Sequence, residues 1–318
     1  MQDIATTLKT SVLTVRAIPL WVPFLITLVT SPLFILLGPT TGLLDDPESK
    51  RKIHQNQKPL GGTAILIGFL PVYIYYGPTN LSLIAALLLV FLAGIVDDFR
   101  GLNPRIKLLF QVIAAIVLVT QVRLPGSSFG FAELHAFTLS GVSNRALIAF
   151  WLVGGTNAFN LIDGLDGLAA GLGLISLVPV IILTAGNPVY ISIAALAGAI
   201  AGFLVYNSHP AKLFLGDGGS YFIGFLLSYL LIQGLAATGP ATGDSTWPLA
   251  VGLLLILLPV LDTGLAIKRR IRSGEGVMEP DRNHIHHRLY RRYGQKRAVL
   301  IMYGLQVIPA TIGTLLVL

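Results

Sequence analysis

The sequence predicts an all-α integral membrane protein with about ten transmembrane helices. Three observations carry this prediction: 54% of the 318 residues are hydrophobic, only 12% are charged, and the mean hydropathy is +0.76. A helix needs about 20 mostly apolar residues to cross a bilayer core, and apolar runs of that length recur along the chain. The composition excludes an ordinary soluble domain as the fold class.

The predicted spans follow one another with short connections. The first comes after Lys9 and Arg16 and looks like a signal peptide, but no small-residue cleavage site follows it, so an uncleaved helix is expected. Gly77-Pro78 and Gly186-Asn187-Pro188 mark tight turns, and residues 123–143 could form a hairpin or a re-entrant piece. The spans are predicted at residues 20–38, 60–77, 79–96, 104–122, 144–160, 168–186, 188–206, 219–237, 247–267 and 298–317. Residues 1–318 are therefore expected to form a single polytopic domain.

Basic residues predict the orientation, because cytoplasmic loops retain Lys and Arg. Of the 22 Lys and Arg residues, all but Lys9, Arg16, Arg123 and Arg145 fall in one set of alternate connections. That set is predicted to be cytoplasmic in a plasma (inner) membrane protein whose termini both lie outside. The predicted cytoplasmic loops are residues 39–59, 97–104, 160–168, 207–218 and 268–297.

The same topology accounts for the net charge of +7 without a nucleic-acid partner, because basic residues between apolar runs face anionic lipid headgroups. Cysteine is absent from the sequence. Disulfides, thiolate zinc sites and cysteine nucleophiles are thereby excluded, and the chemistry must use oxygen and nitrogen groups.

Unusual acidic and amide residues concentrate on the predicted cytoplasmic side. Asp97 and Asp98 end the third span, where adjacent carboxylates need a cation, a lipid headgroup or a helix-capping role. Asn157, Asn160 and Asp163 are spaced three apart, which stacks them on one helix face before two Asp-Gly steps. Both groups could also be plain structural ends, although a turn does not require the paired amides.

Two further clusters are suited to anions. The Gly-Asp-Gly-Gly turn around Asp217 precedes a span, and free amides at a helix N-terminus favour phosphate groups. His284, His286 and His287 lie among arginines, which favours phosphate binding over a zinc site. Asp262 is expected to meet Lys268 or Arg269 near the end of its span. Together the clusters offer hard oxygen ligands for Mg²⁺ and cationic groups for a diphosphate, the set that phosphoryl transfer uses.

The four motifs together resemble those of the polyprenyl-phosphate N-acetylhexosamine-1-phosphate transferases. This resemblance implies a cytoplasmic active-site groove, Mg²⁺ or Mn²⁺, and transfer of a sugar 1-phosphate from a UDP-N-acetylhexosamine to undecaprenyl phosphate, with UMP released. The segments Asp281 to His287 and Lys58 to Gly62 look more like the UDP-GlcNAc branch, which makes polyprenyl-diphosphate-GlcNAc for a cell-envelope glycan such as lipopolysaccharide or teichoic acid. The related phospho-MurNAc-pentapeptide transferases usually carry three consecutive histidines, and Ile285 interrupts such a run here.

By the same resemblance, Asp217 looks like the principal metal ligand and Asn160 the second. Asp97 and Asp98 resemble the pair that handles the lipid phosphate or organises the metal, so the implied catalytic residues are Asp97, Asp98 and Asp217. Uridine contacts are implied for Asp166 and Asn207, and phosphate contacts for Lys107, Arg282, His286 and His287. Supporting roles are implied for Asn157, Asp163, Lys58 and His284.

Two other classes of membrane protein share some of these features. Intramembrane aromatic prenyltransferases also use Mg²⁺ with aspartates, but at wider spacing in two matched motifs. A secondary transporter would place its polar residues in mid-span, where they are scarce here. The sequence is compatible with a homodimer and with a fully lipid-facing exterior. It leaves open which N-acetylhexosamine is used and which downstream pathway is supplied. A one-step mechanism and one through a covalent intermediate are both compatible with it.

Overall fold

The computed structural model describes residues 2–37, 59–121, 141–238, 247–274, 276, 279 and 283–318. These residues form helices and connections without a β-strand, so the all-α prediction is confirmed for the part of the chain described. Lys58, Arg282 and most of the predicted external segment 123–143 lie outside it. The helices are α1 (Gln2–Leu37), α2 (Gly61–Tyr76), α3 (Leu81–Arg100), α4 (Pro104–Gln121), α5 (Gly141–Ile162), α6 (Leu168–Leu183), α7 (Val189–Asn207), α8 (Gly216–Thr238), α9 (Trp247–Leu255), α10 (Leu257–Ser273), α11 (Ile285–Tyr293) and α12 (Gln295–Leu315).

Several helices are long and apolar enough to cross a bilayer, which makes the chain a multi-pass membrane protein. Within the described ranges six helices qualify, and counting the bent pair α9 and α10 as one span makes seven. The helices α2 and α6 are apolar but shorter. The predicted total of ten spans is therefore not established by helix length. The qualifying segments are Ala17–Leu37, Leu81–Arg100, Val142–Ile162, Val189–Asn207, Gly216–Thr238 and Gln295–Leu315.

The centre of the bundle is α8, whose residues are mostly buried among α2, α3, α5, α6 and α7. Small residues let the neighbouring backbones approach it closely. A Cβ on Gly224 would lie 2.8 Å from the Cα of Thr156, and one on Gly155 would lie 1.9 Å from Ser228 Oγ. This close packing of α5 against α8 fixes the relative position of their ends, where the polar clusters lie.

The span formed by α9 and α10 is broken at Ile256, and its halves meet at 83°. A break exposes backbone groups that water cannot satisfy inside a bilayer. Gln306 of α12, fully buried, satisfies them: its Oε1 accepts from Leu258 N at 3.0 Å and its Nε2 donates to Leu255 O at 2.6 Å. The second half, α10, then leads to α11 and the histidine cluster.

Candidate active site

The N-terminus of α8 is held by glycines that leave no room for side chains. Gly61 N and Gly62 N of α2 donate to Phe214 O and Leu215 O at 2.9 and 3.0 Å. A Cβ on Gly62 would lie 2.3 Å from Gly219 Cα. Gly216 itself adopts φ +74°, a conformation that side chains disfavour. The Gly-rich turn is thus required by packing, and it places Asp217 in the first turn of α8.

Asp98, from the end of α3, binds the start of α8. Its Oδ1 accepts from Asp217 N at 2.9 Å and its Oδ2 accepts from Gly218 N at 3.1 Å. These amides belong to the first turn, whose donors have no partner within the helix and whose dipole favours a negative charge. Asp98, a predicted catalytic residue, therefore caps the N-terminus of α8 from the neighbouring helix α3.

Asp97 points to different partners. It is only 6% exposed, and its Oδ1 accepts from Leu102 N at 2.7 Å. Its Oδ2 accepts from the Tyr221 hydroxyl at 3.3 Å and forms an ion pair with Lys107 of α4. The Lys107 Nζ also lies 3.7 Å from Asp217 Oδ2. One ammonium thus bridges carboxylates from two helices and compensates their mutual repulsion.

Asn160 completes this group from the end of α5. Its Nδ2 donates to Asp217 Oδ1 at 3.0 Å and to Ser220 Oγ at 3.0 Å. Asn157, one turn earlier, instead donates to Gln111 Oε1 of α4 at 2.6 Å and to Val153 O at 2.8 Å. The predicted convergence of Asp97, Asp98, Asn160 and Asp217 is therefore observed, with Asn157 one turn deeper and Asp163 just beyond the end of α5.

Asp166 and Asn207, the predicted uridine pair, join the turn after α5 to the connection after α7. Asn207 Oδ1 accepts from Gly167 N at 3.0 Å, and its Nδ2 donates to Leu213 O at 2.9 Å. Asp166 Oδ2 accepts from Ala211 N at 3.1 Å and lies 2.8 Å from His209 Nδ1. Both side chains are buried, so they fix the geometry of a shared turn.

The histidine motif converges on Asp262 of α10. The Nδ1 atoms of His284 and His286 lie 2.9 and 3.3 Å from Asp262 Oδ2, and Ile285 N donates to Oδ1 at 2.7 Å. The expected contact of Asp262 with Lys268 or Arg269 is therefore wrong, because both oxygens of the carboxylate face the start of α11. Asp262, His284 and His286 are buried, and their ligand atoms lie within 4.8 Å of one another.

His287 lies beside His286, with the ring centroids 4.2 Å apart. Burial, and then the neighbouring His286, lower its pKa to about 4. The ring is therefore neutral at pH 7 and can act toward a phosphate as a hydrogen-bond donor, not as a cation.

Sequence reasoning missed four residues of these clusters: His209, Tyr221, Gln111 and the role of Asp262. His209 follows Asn207, an implied uridine contact, by two residues. Asp262 is the single acidic residue of its predicted span, 247–267. Those two signals were present in the sequence, whereas Tyr221 and Gln111 look like ordinary residues of apolar helices.

Comparisons with known proteins agree with this architecture. The model of glycosyl transferase family 4 matches residues 80–235. The chain is 35% identical to the "Probable undecaprenyl-phosphate N-acetylglucosaminyl 1-phosphate transferase" of Bacillus subtilis, over 91% of this chain and 82% of that protein. It is 33% identical to the decaprenyl-phosphate N-acetylglucosaminephosphotransferase of Mycolicibacterium smegmatis, over 80% and 70%.

A third relative is the undecaprenyl-phosphate alpha-N-acetylglucosaminyl 1-phosphate transferase of Escherichia coli K12, 31% identical over 86% of this chain and 76% of that protein. The three relatives align with most of this chain. The residues matched by the family model include Asp97, Asn160 and Asp217. The chain belongs to glycosyl transferase family 4, in the branch of polyprenyl-phosphate N-acetylglucosamine-1-phosphate transferases.

Proposed function

We propose that the protein transfers N-acetylglucosamine 1-phosphate from UDP-GlcNAc to undecaprenyl phosphate or a related polyprenyl phosphate. The products are UMP and polyprenyl-diphosphate-GlcNAc, the first membrane intermediate of a cell-envelope glycan. The observation that carries the proposal is the convergence of three carboxylates, one amide and one lysine from the ends of α3, α4, α5 and α8. The relatives' names supply the sugar and the lipid.

The donor set fits a divalent cation of the Mg²⁺ type. Asp217 and Asp97 offer carboxylate oxygens, and Asn160 offers an amide oxygen once its side-chain amide is turned about. Asp217 and Asn160 would hold the ion. A bound Mg²⁺ would neutralise charge on the diphosphate and stabilise the leaving UMP. Mn²⁺ has the same ligand preference and could substitute.

The chain's own residues have distinct tasks in this reaction. Lys107 lies between Asp97 and Asp217, where its ammonium can turn to a phosphate group as substrate enters. Asp98 keeps the first turn of α8 in place and thereby orients Asp217. A lipid phosphate oxygen attacks the sugar-bearing phosphorus, a new P–O bond forms, and the bond to the bridging oxygen breaks, so UMP leaves with that oxygen.

The membrane arrangement completes the proposal. The carboxylates, amide and lysine lie where α3 and α5 end and where α4 and α8 begin, ends that would share one side of an alternating bundle. The loops on that side carry most of the basic residues, so we place the site in a groove on the cytoplasmic face of the plasma membrane, with ten spans, both termini outside and one domain over residues 1–318.

The test supplies purified protein in detergent with radiolabelled UDP-GlcNAc, undecaprenyl phosphate and Mg²⁺. We expect a labelled lipid and stoichiometric UMP, no product with EDTA, and no turnover by Asp217→Asn. A second reaction offers UDP-MurNAc-pentapeptide as donor. Product from that donor alone would assign the protein to the peptidoglycan branch, and an active Asp217→Asn variant would refute the metal role.

A further inference from the structure

Asp262 joins α10 to the first residues of α11 through three contacts. Oδ1 accepts from Ile285 N at 2.7 Å, while Oδ2 lies 2.9 Å from His284 Nδ1 and 3.3 Å from His286 Nδ1. The carboxylate is 1% exposed. A carboxylate that only accepts hydrogen bonds requires a proton on each Nδ1, so Asp262 sets the proton positions of both imidazoles.

His286 packs against the turn that contains Gly164. Its ring is 1% exposed, and its Nε2 is buried without a hydrogen-bond partner among the described residues. That nitrogen faces Gly164, where an added Cβ would lie only 2.4 Å away. Gly164 belongs to the turn that follows Asn160 and leads to Asp166. The imidazole is therefore packed directly against the backbone between Asn160, the proposed metal ligand, and Asp166, for which the family resemblance implies a uridine contact.

We propose that Asp262 is a positioning residue for the transfer reaction. It orients His286, and His286 in turn fixes the turn around Gly164, which follows Asn160 at the end of α5 and contains Asp166. This inference rests on the proposed function for its kinetic part. The buried Asp262–His284–His286 group would then serve orientation, with the Nδ1 atoms at hydrogen-bond distance from the carboxylate, and metal analysis separates this role from a structural metal site.

Asp262→Asn is the informative substitution because it is isosteric. The amide oxygen can still accept from Ile285 N, but the oxygen shared by the histidines becomes an NH₂ donor. The His286 proton should then move from Nδ1 to Nε2, directly against Gly164. We expect kcat to fall on the order of 10-fold or more, as when a carboxylate that orients an imidazole is lost. KM for UDP-GlcNAc should rise, because Asp166 lies on the same turn, while KM for the lipid should stay close to wild type.

A double-mutant cycle separates orientation from general stability. His286→Asn keeps a donor toward Asp262 but removes the atoms over Gly164. If Asp262 acts through His286, adding Asp262→Asn to that variant should cost no further activity. Additive losses would overturn the inference, as would wild-type kcat in Asp262→Asn. Thr263→Val is the matched control, because Thr263 Oγ1 on the same helix has no hydrogen-bond partner among the described residues.

A second measurement needs no turnover and so separates this inference from the proposed function. Nitrogen NMR of histidine-labelled protein should show the Nδ1–H tautomer for His284 and His286 in the wild type and the reversed tautomer for His286 in Asp262→Asn. An unchanged tautomer would refute the orientation role. Metal analysis of the purified protein closes the remaining alternative: one zinc per chain, lost in Asp262→Asn, would show a metal site in place of the positioning group.

Discussion

Removing the charge of Asp98 is predicted mainly to lower stability, whereas removing the charge of Asp217 is predicted mainly to abolish turnover. Asp98 accepts two backbone N–H groups at the start of α8. Hydrogen bonds to charged groups contribute about 1.5–3 kcal/mol each. Asp98→Asn keeps one neutral acceptor, so it loses one such bond and weakens the other. We expect the free energy of unfolding to fall by about 2–3 kcal/mol.

Asp217→Asn leaves those backbone bonds in place. In the wild type, the Asp217 carboxylate lies near that of Asp97, and the two negative charges repel each other. In the variant, Lys107 keeps Asp97 as its partner. We therefore expect Asp217→Asn to melt at or slightly above the wild-type temperature while turnover is abolished. Asp98→Asn should melt several degrees lower and keep residual turnover, because Asp217 is still present but less well positioned.

The measurement is a thermal unfolding series in one detergent, with initial rates determined at a temperature where every variant is folded. An Asp98→Asn variant that melts like the wild type and is fully inactive would show that Asp98 acts chemically and not as a helix cap. An Asp217→Asn variant that loses stability as strongly as Asp98→Asn would refute the division of roles.

Three further predictions concern other contacts. Gly164→Ala should cost about 1–3 kcal/mol of stability and lower turnover, because the new methyl lies 2.4 Å from His286 Nε2; thermal melting and rates check it. Gln306→Leu should cost about 1–3 kcal/mol, because Leu258 N at the α9–α10 break loses its partner while Leu255 O keeps the Ser176 hydroxyl, whereas the exposed Thr311→Val control should melt normally. His287 has a folded pKa of about 4 against 6.5, so protonation favours unfolding: wild-type stability should fall as the pH drops from about 6.5 to 4, and His287→Asn should flatten that slope in a denaturant series.

The sequence was a good guide to the positions of the helices and to which helix ends carry chemistry. Each predicted span overlaps a helix or the bent pair α9 and α10. The clusters around Asp97, Asn160 and Asp217 meet as expected, because polar side chains of a membrane protein gather where they can share partners and reach water. Apolar run length and residue type carried that information.

The break at Ile256 could not be predicted in the same way. Residues 250–261 form one apolar run, which run length alone treats as a straight helix. Pro259 is the signal of a break, because it has no N–H to donate to Leu255 O. The bend is possible because Gln306, some fifty residues later, satisfies the freed backbone groups. The partners of Asp262 were missed for a different reason: they come from His284, Ile285 and His286, more than twenty residues later, and residue type does not show how the chain after α10 returns to it.

The pair Asp97 and Asp98 shows where sequence reasoning is limited most sharply. As neighbours in the sequence they look like one acidic unit facing one cation. On a helix, however, consecutive side chains differ by about 100° in direction. Asp97 therefore reaches Lys107 and Tyr221, while Asp98 reaches the amides of α8. Adjacent carboxylates at a helix end avoid mutual repulsion by serving different neighbours, and here one holds the ammonium that the phosphates would use while the other holds the backbone that carries Asp217.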